Sequence, residues 1–449
     1  MASNKTIYVC SQCGAKYLKW QGRCSQCGAW GTIQKKEIRI SKRKKEFTAP
    51  AGEVVSLNKI KNKSSQRLET KIKEFDRVVG KGIALGSVIL LGGEPGIGKS
   101  TLILQIAEKI ASSQGKILYI SGEESAEQVA DRLKRLKLKS KNIEFSGETE
   151  IETILSTIKK EQPKLVIIDS IQTIYFEDLP SEPGTTNQIK VCTNKLIELA
   201  KKENIAIIII GHITKSGKVA GPKTLEHLVD VVLYLEGDKY HNFRILRSTK
   251  NRFGPTNEVG VFDMQANGLV EVKNPSEIFL AERKEKIPGS VVTAVLEGSR
   301  VFLIEIQSLL SWTNFGYPQR RSSGINLNRL QVLLAVLTKH AGLKLSRRDV
   351  HLNVVGGLYI KEPASDLAVC LAVASAYFNK PVEREMVVIG EVGLTGEIRP
   401  VSQIEKRIRE AEKFGFKFAL VPKSEIQDNY KIKIIQVENL NKVIDEFVR

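Results

Sequence analysis

The octapeptide Gly93-Glu94-Pro95-Gly96-Ile97-Gly98-Lys99-Ser100 constrains this chain more than any other stretch, because of what flanks it. The apolar run SVILLGG leads into it, and TLILQIAEKI, apolar at helical spacing, follows. Strand, glycine loop and helix in that order are the context in which GxxxxGK followed by Ser or Thr grips phosphate. Glycines let successive backbone N–H groups converge on phosphate oxygens, and the helix start adds a partial positive charge. In such a loop Lys99 contacts the β and γ phosphates and Ser100 supplies a hydroxyl to Mg²⁺. The expected ATP cradle is Gly93, Glu94, Pro95, Gly96, Ile97, Gly98, Lys99, Ser100 and Thr101.

The surrounding text alternates short apolar runs (KILYIS, KLVIIDS, IAIIIIGH) with amphipathic helices from Ser100 to Ala111, from Ala126, and around Ile189 to Lys202. That alternation predicts a mostly parallel sheet covered on both faces, an α/β nucleotide-binding core. A second acid is then needed on a neighbouring strand. Asp169, closing the apolar strand LVIID, is the expected holder of the Mg²⁺ water shell. Glu123 and Glu124 follow the strand KILYIS, where a carboxylate orients or deprotonates the attacking water. Glu123 is favoured and Glu124 is the fallback, while both also suit the N-terminus of the helix that Ser125 opens.

At 449 residues the chain has room for two or three domains. No apolar run approaches the roughly 18 residues of a membrane span. The N-terminus lacks the apolar core of a secretory leader, so a cytoplasmic location is expected. The net charge of +19 is unevenly placed: residues 1–72 hold 16 Lys and Arg against 4 Asp and Glu. A basic arm on near-neutral domains attracts polyanions, nucleic acid above all.

Within that arm Cys10, Cys13, Cys24 and Cys27 form two copies of one knuckle, VCSQCGA and RCSQCGA. Each pair of thiolates is aimed at one point by a tight turn, and four sulfurs complete a closed tetrahedron, which predicts structural zinc. Cys192 and Cys370 stand alone in apolar surroundings and are expected in the core. The expected division is a zinc finger over 1–33, a basic linker without periodicity over 34–71, the ATPase over 72–285 and an α+β domain over 286–449. That last domain opens with a hairpin in SVVTAVLEGSRVFLIEIQSLL.

Two basic segments point to DNA. The loop after IAIIIIGH carries Lys215, Lys218 and Lys223 as phosphate contacts. His212, at that strand's end, either senses the γ phosphate or is a hydrogen-bonded core residue. Lys250-Asn251-Arg252-Phe253-Gly254 joins two cations, an amide and an aromatic, which suits an ordinary turn, a cationic finger for a neighbour's nucleotide, or a DNA clamp.

The knuckle, GEPGIGKS, KNRFG and a C-terminal KEPASDLAVCLAVASA, in that order, closely resemble the bacterial RadA (Sms) family of DNA repair ATPases over essentially the whole chain. The resemblance implies a RecA-like P-loop core and a hexameric ring with ATP sites between subunits. It also implies single-stranded DNA in the channel, a RecA recombinase filament as partner, and helicase-like extension of branched recombination intermediates. By that analogy Lys99, Ser100 and Asp169 keep the roles above, Glu123 matches the catalytic glutamate, and Lys250 and Arg252 fall in the family's own motif. The last domain resembles the proteolytic domain of Lon, with Ser365 at the nucleophile position. Glu405 stands where the base lysine belongs, with Lys406 one residue off, about 100° around a helix. The domain is therefore expected to be an inactive peptidase fold. The alternatives are an ATP-dependent Lon-type peptidase and a DNA-binding regulatory ATPase that does not translocate.

Overall fold

The computed structural model describes residues 4–39, 56, 66–139, 141–212, 222–237, 243–280, 286–313, 316–427 and 429–449. Two units separate, Met1–Lys63 and Ser64–Arg449.

In the first unit, Asn4–Cys10 pairs antiparallel with Lys16–Tyr17 on one side and Ile33–Arg39 on the other, in the register Asn4↔Arg39 to Cys10↔Ile33. Gln34 to Arg39, expected as the start of a structureless linker, thus continue a strand. The apolar periodicity that announces a strand is missing because the core here is, among the described residues, Cys10, Cys24 and Ile33, with Tyr8, Ala15 and Tyr17 against it. Backbone pairing, which leaves no compositional trace, holds the remaining polar residues.

The second unit contains a nine-stranded sheet. Its order is Gly268–Glu271, Val259–Gln265, Phe243–Asn251, Val231–Glu236, Val88–Gly93, Ala206–His212, Leu165–Asp169, Ile117–Ser121, Ile143–Ser146. The strands from Val231–Glu236 to Ile143–Ser146 pair in parallel, and the other three extend the sheet antiparallel. Every residue of Val88–Gly93, Leu165–Asp169 and Ile117–Ser121 is buried. The pleat splits them between two cores. Ile89, Leu91 and Ile167 pack with Leu102, Ile106 and Val129 on one face, and Leu90, Val166 and Ile168 with Ile154, Ile158 and Leu196 on the other. Cys192 and Cys370 are fully buried, as expected.

A seven-stranded sheet follows: Arg320–Ser323, Arg348–Val354, Arg300–Trp312, Ser290–Glu297, Met386–Val388, Phe418–Pro422, Lys433–Val437. The expected hairpin is present, with Ser290 opposite Gln307. Helix Asp366–Phe378 is buried along its whole length through Ser375, which explains its uniformly apolar text. Arg300 donates to the buried Glu74 at 2.6 Å, and Arg247 to Glu297 at 2.6 Å, tying this sheet to the nine-stranded one. Among the described residues, no helix is long and apolar enough to cross a membrane.

Candidate active site and metal centre

Helix Lys99–Ser113 starts immediately beyond strand Val88–Gly93, so the glycine loop lies at the C-terminal ends of the parallel strands. Gly98 has φ +112°, a backbone conformation that side chains of L-residues rarely adopt, so glycine suits this turn. Glu94, Pro95 and Gly96 are exposed, Ile97 is buried, and Ser100 and Thr101 are half-buried in the first turn. Arg244 donates to the Ile97 carbonyl at 3.1 Å and pins the loop from the side. Lys99 is buried and folds its Nζ onto the carbonyls of Gly93 and Glu94, at 3.0 and 2.9 Å. Burial pushes its pKa down, and the charges of Asp169 and Glu123 oppose that shift.

Asp169 is reached across the sheet, because Ala206–His212 is inserted between the loop strand and Leu165–Asp169. The Asp169 side chain is buried and accepts from the Tyr119 hydroxyl at 2.5 Å. Asp169 and Ser100, the latter half-buried in the first helical turn, each offer a hard oxygen of the kind Mg²⁺ takes. The peptide bond between Asp169 and Ser170 is cis.

The two adjacent glutamates part company. Glu124 is held by both terminal nitrogens of Arg132, with one contact at 2.7 Å and the other shorter. Glu123 instead accepts a short hydrogen bond from Ser170, next to Asp169, and its charge bears on Lys99. Tyr119, Arg132, Ser170 and Arg244 escaped the sequence reading, since nothing in their local spacing marks them. Only strand register could have hinted at Tyr119, two residues before Ser121, which pairs with Asp169.

The KNRFG segment lies at the other end of the sheet. Asn251 pairs with Val231, which also pairs with Ile89 near the start of the loop strand, whereas Gly93 pairs with Leu235. The four residue steps from Ile89 to Gly93 span roughly 13 Å. Arg252 is half exposed and donates to Asp230 at 2.9 Å, and Asp230 caps the Val88 amide at 3.1 Å. Lys250 donates to the carbonyls of Glu226 and His227 at 2.9 and 3.1 Å, which joins the motif to the segment carrying the exposed Lys223. Lys215 and Lys218 lie outside the described residues. So does the His212 side chain, although its backbone pairs with Gly93.

In the first unit the four cysteine sulfurs lie within 4.8 Å of one another, with Cys10–Cys27 at 3.8 Å and Cys13–Cys24 at 3.5 Å. A tetrahedral zinc with bonds of about 2.3 Å sets its sulfurs about 3.8 Å apart, so the donor set fits the ion in chemistry and in size. The two knuckles are built alike: the amides of Gly14 and Gly28 donate to the carbonyls of Cys10 and Cys24, at φ +74° and +75°. The Tyr17 hydroxyl, 3.1 Å from Cys24 Sγ, pushes that thiol down to about 6, and Thr32 lowers Cys10.

Three stretches match known families: residues 8–35 the rubredoxin metal binding domain, 56–218 the AAA domain, and 324–425 subunit ChlI of Mg-chelatase. DNA repair protein RadA of Bacillus subtilis is 45% identical over 450 residues, spanning 99% of this chain and 98% of the relative. The Streptococcus pyogenes serotype M1 protein of the same name is 45% identical over 99% of both chains. The chain belongs to the RadA family of DNA repair proteins. A solved DnaB-like replicative helicase aligns with 46% of this chain and 62% of its own at a TM-score of 0.41 and 17% identity.

In this RadA family chain, the C-terminal domain gives Ser365 no basic partner among the described hydrogen bonds. Ser365 is buried, and its Oγ donates only to the Glu362 carbonyl, at 3.4 Å. Lys406 is exposed, and Glu405 is turned toward Arg409 at 3.5 Å. The buried cation of helix Ile404–Lys413 is Arg407, fully enclosed and paired with both oxygens of Glu362 at 2.7 Å. A guanidinium stays protonated and cannot serve as a base.

Proposed function

We propose that this chain is an ATP-driven DNA motor that extends branched recombination intermediates. It works in the cytoplasm as a hexameric ring on single-stranded DNA, alongside a RecA recombinase filament. The segments divide the labour: the zinc module, which the third strand carries on to Arg39, the basic connection after it, an ATPase up to 285, and the C-terminal domain 286–449 as scaffold.

The observation that carries the reading is the separation of KNRFG from its own glycine loop by most of a strand's length. Cations so far from the phosphates of their own subunit do not serve its nucleotide, and Arg252, half exposed beyond its ion pair with Asp230, is placed for a neighbour's nucleotide or for DNA. Ser100 and Asp169 would hold Mg²⁺, which would supply neutralisation of phosphate charge. Tyr119 fixes the Asp169 carboxylate for that task. Glu123, oriented by Ser170, takes the proton of the attacking water, while Lys99 leaves its two loop carbonyls for the β and γ phosphates. Lys250 and Arg252 act across the subunit boundary, and Lys215, Lys218 and Lys223 contact DNA. The Arg407–Glu362 pair beside Ser365 argues against peptidase activity.

The test is ATP hydrolysis with and without single-stranded DNA, together with strand displacement on a forked substrate. Both are expected, and both are expected to vanish in Lys99→Ala. An ATPase rate indifferent to DNA counts against the motor, and a DNA-stimulated rate without displacement favours the regulatory ATPase.

A further inference from the structure

The amino-terminal unit carries an aromatic face that zinc binding does not explain. Trp20 and Trp30 are 63% and 74% exposed, and Leu18, two residues before Trp20, is 79% exposed. Elsewhere the unit half-buries its rings, since Tyr8 and Tyr17 pack against Cys10, Cys24 and Ile33. Two indoles left largely in water are a surface that can take a partner.

The two rings belong to one patch. A methyl group placed on Gly22 would touch both, at 3.9 Å from Trp20 and 3.8 Å from Trp30. Trp30 is held in place: its backbone bridges to Arg23, and the Arg23 guanidinium lies 5.7 Å from its ring centroid while donating to the Gly28 carbonyl at 3.0 Å. The knuckle repeat puts Trp30 where the first copy has Lys16, so one turn geometry offers a ring in one copy and a cation in the other.

The charge around the patch decides what covers it. Residues 1–36 contain no Asp or Glu, against Lys5, Lys16, Lys19, Arg23, Lys35 and Lys36. Lys16, Lys19, Arg23 and Lys36 are exposed. A partner for flat rings set among cations alone must itself combine flat apolar faces with negative charge. Unpaired nucleobases on their phosphate backbone do so, whereas a duplex keeps its base faces stacked inside. We infer that Trp20 and Trp30 are a stacking platform for single-stranded DNA bases, with the neighbouring cations on the phosphates. This inference rests on the DNA-motor reading and assigns the zinc module to DNA rather than to a protein partner.

The chain has 3 Trp, so full-length, zinc-loaded Trp312→Phe reports on this patch alone. Oligothymidylate should quench its emission, and an abasic deoxyribose-phosphate polymer of equal length should not. Trp20→Ala/Trp30→Ala should weaken oligothymidylate binding by about tenfold or more with zinc content unchanged, and Trp20→Phe/Trp30→Phe should restore much of it. Equal quenching by the abasic polymer, or unchanged affinity in the double alanine variant, overturns the platform; the second outcome is what a protein-docking patch would give. ATP hydrolysis measured on the same samples separates the two readings. DNA stimulation without quenching sinks the platform alone, and no DNA response at all sinks the motor.

Discussion

Arg132 grips both carboxylate oxygens of Glu124, so of two adjacent glutamates only Glu123 faces Ser170 and the buried Lys99. Glu123→Gln is therefore expected to lower kcat for ATP by about a hundredfold or more while nucleotide still binds. Glu124→Gln, which breaks a partly exposed ion pair, should cost about 1 kcal/mol of stability and leave most activity. Steady-state ATPase assays and thermal unfolding of both variants check this, and the reverse pattern would move the base to Glu124.

Burial lowers the pKa of Lys99, so its ammonium loses its proton at a lower pH than a solvent lysine does. The profile of kcat/KM, which follows the free enzyme, should fall on an alkaline limb below the ordinary lysine value of about 10.4. Phosphate charges in the bound state push the same pKa back up, so the limb of kcat should lie at higher pH. Coincident limbs would assign the titration to another group.

If Arg252 serves a neighbouring subunit, Arg252→Ala and Lys99→Ala are each inactive but complement one another. Random mixing rebuilds about a quarter of the interfaces with an intact loop facing an intact arginine. Mixed-variant ATPase titrations should recover activity in that proportion. No recovery, with DNA binding lost in Arg252→Ala, would place the motif on DNA instead.

Arg407 is fully enclosed and pairs with the partly buried Glu362, and removing the arginine strands that carboxylate. Arg407→Ala should destabilise the fold by about 3–5 kcal/mol. Ser365→Ala, which loses one long hydrogen bond, should cost about 1 kcal/mol or less and leave ATP hydrolysis unchanged. Denaturant unfolding measures the first and the ATPase assay the second. Casein cleavage abolished by Ser365→Ala would revive the peptidase reading.

Local chemistry made much of this molecule legible in its text. The glycine loop, the apolar strand ending in Asp169 and the cysteine knuckles each combine residue type with short spacing. Elements around them read off period and cap: helix Ala126–Arg135 begins behind Ser125 with a full capping box. Weak patterns failed where packing did not enforce them, as in the polar strand Ile33–Arg39.

Residue order alone determined which chemical groups this protein carries and in which supersecondary units they sit, because loop, strand and helix signals act over a few residues. Which groups meet was decided by the tertiary structure. Strand insertion puts Ala206–His212 between the loop and Asp169, register brings Tyr119 to that carboxylate, and the antiparallel return carries Arg252 away from its own glycine loop. The choice between Glu123 and Glu124 likewise waited on Arg132, eight positions downstream and brought alongside by a helix. Such pairings depend on sheet order and hydrogen-bond register between distant segments, and short-range patterns do not encode them.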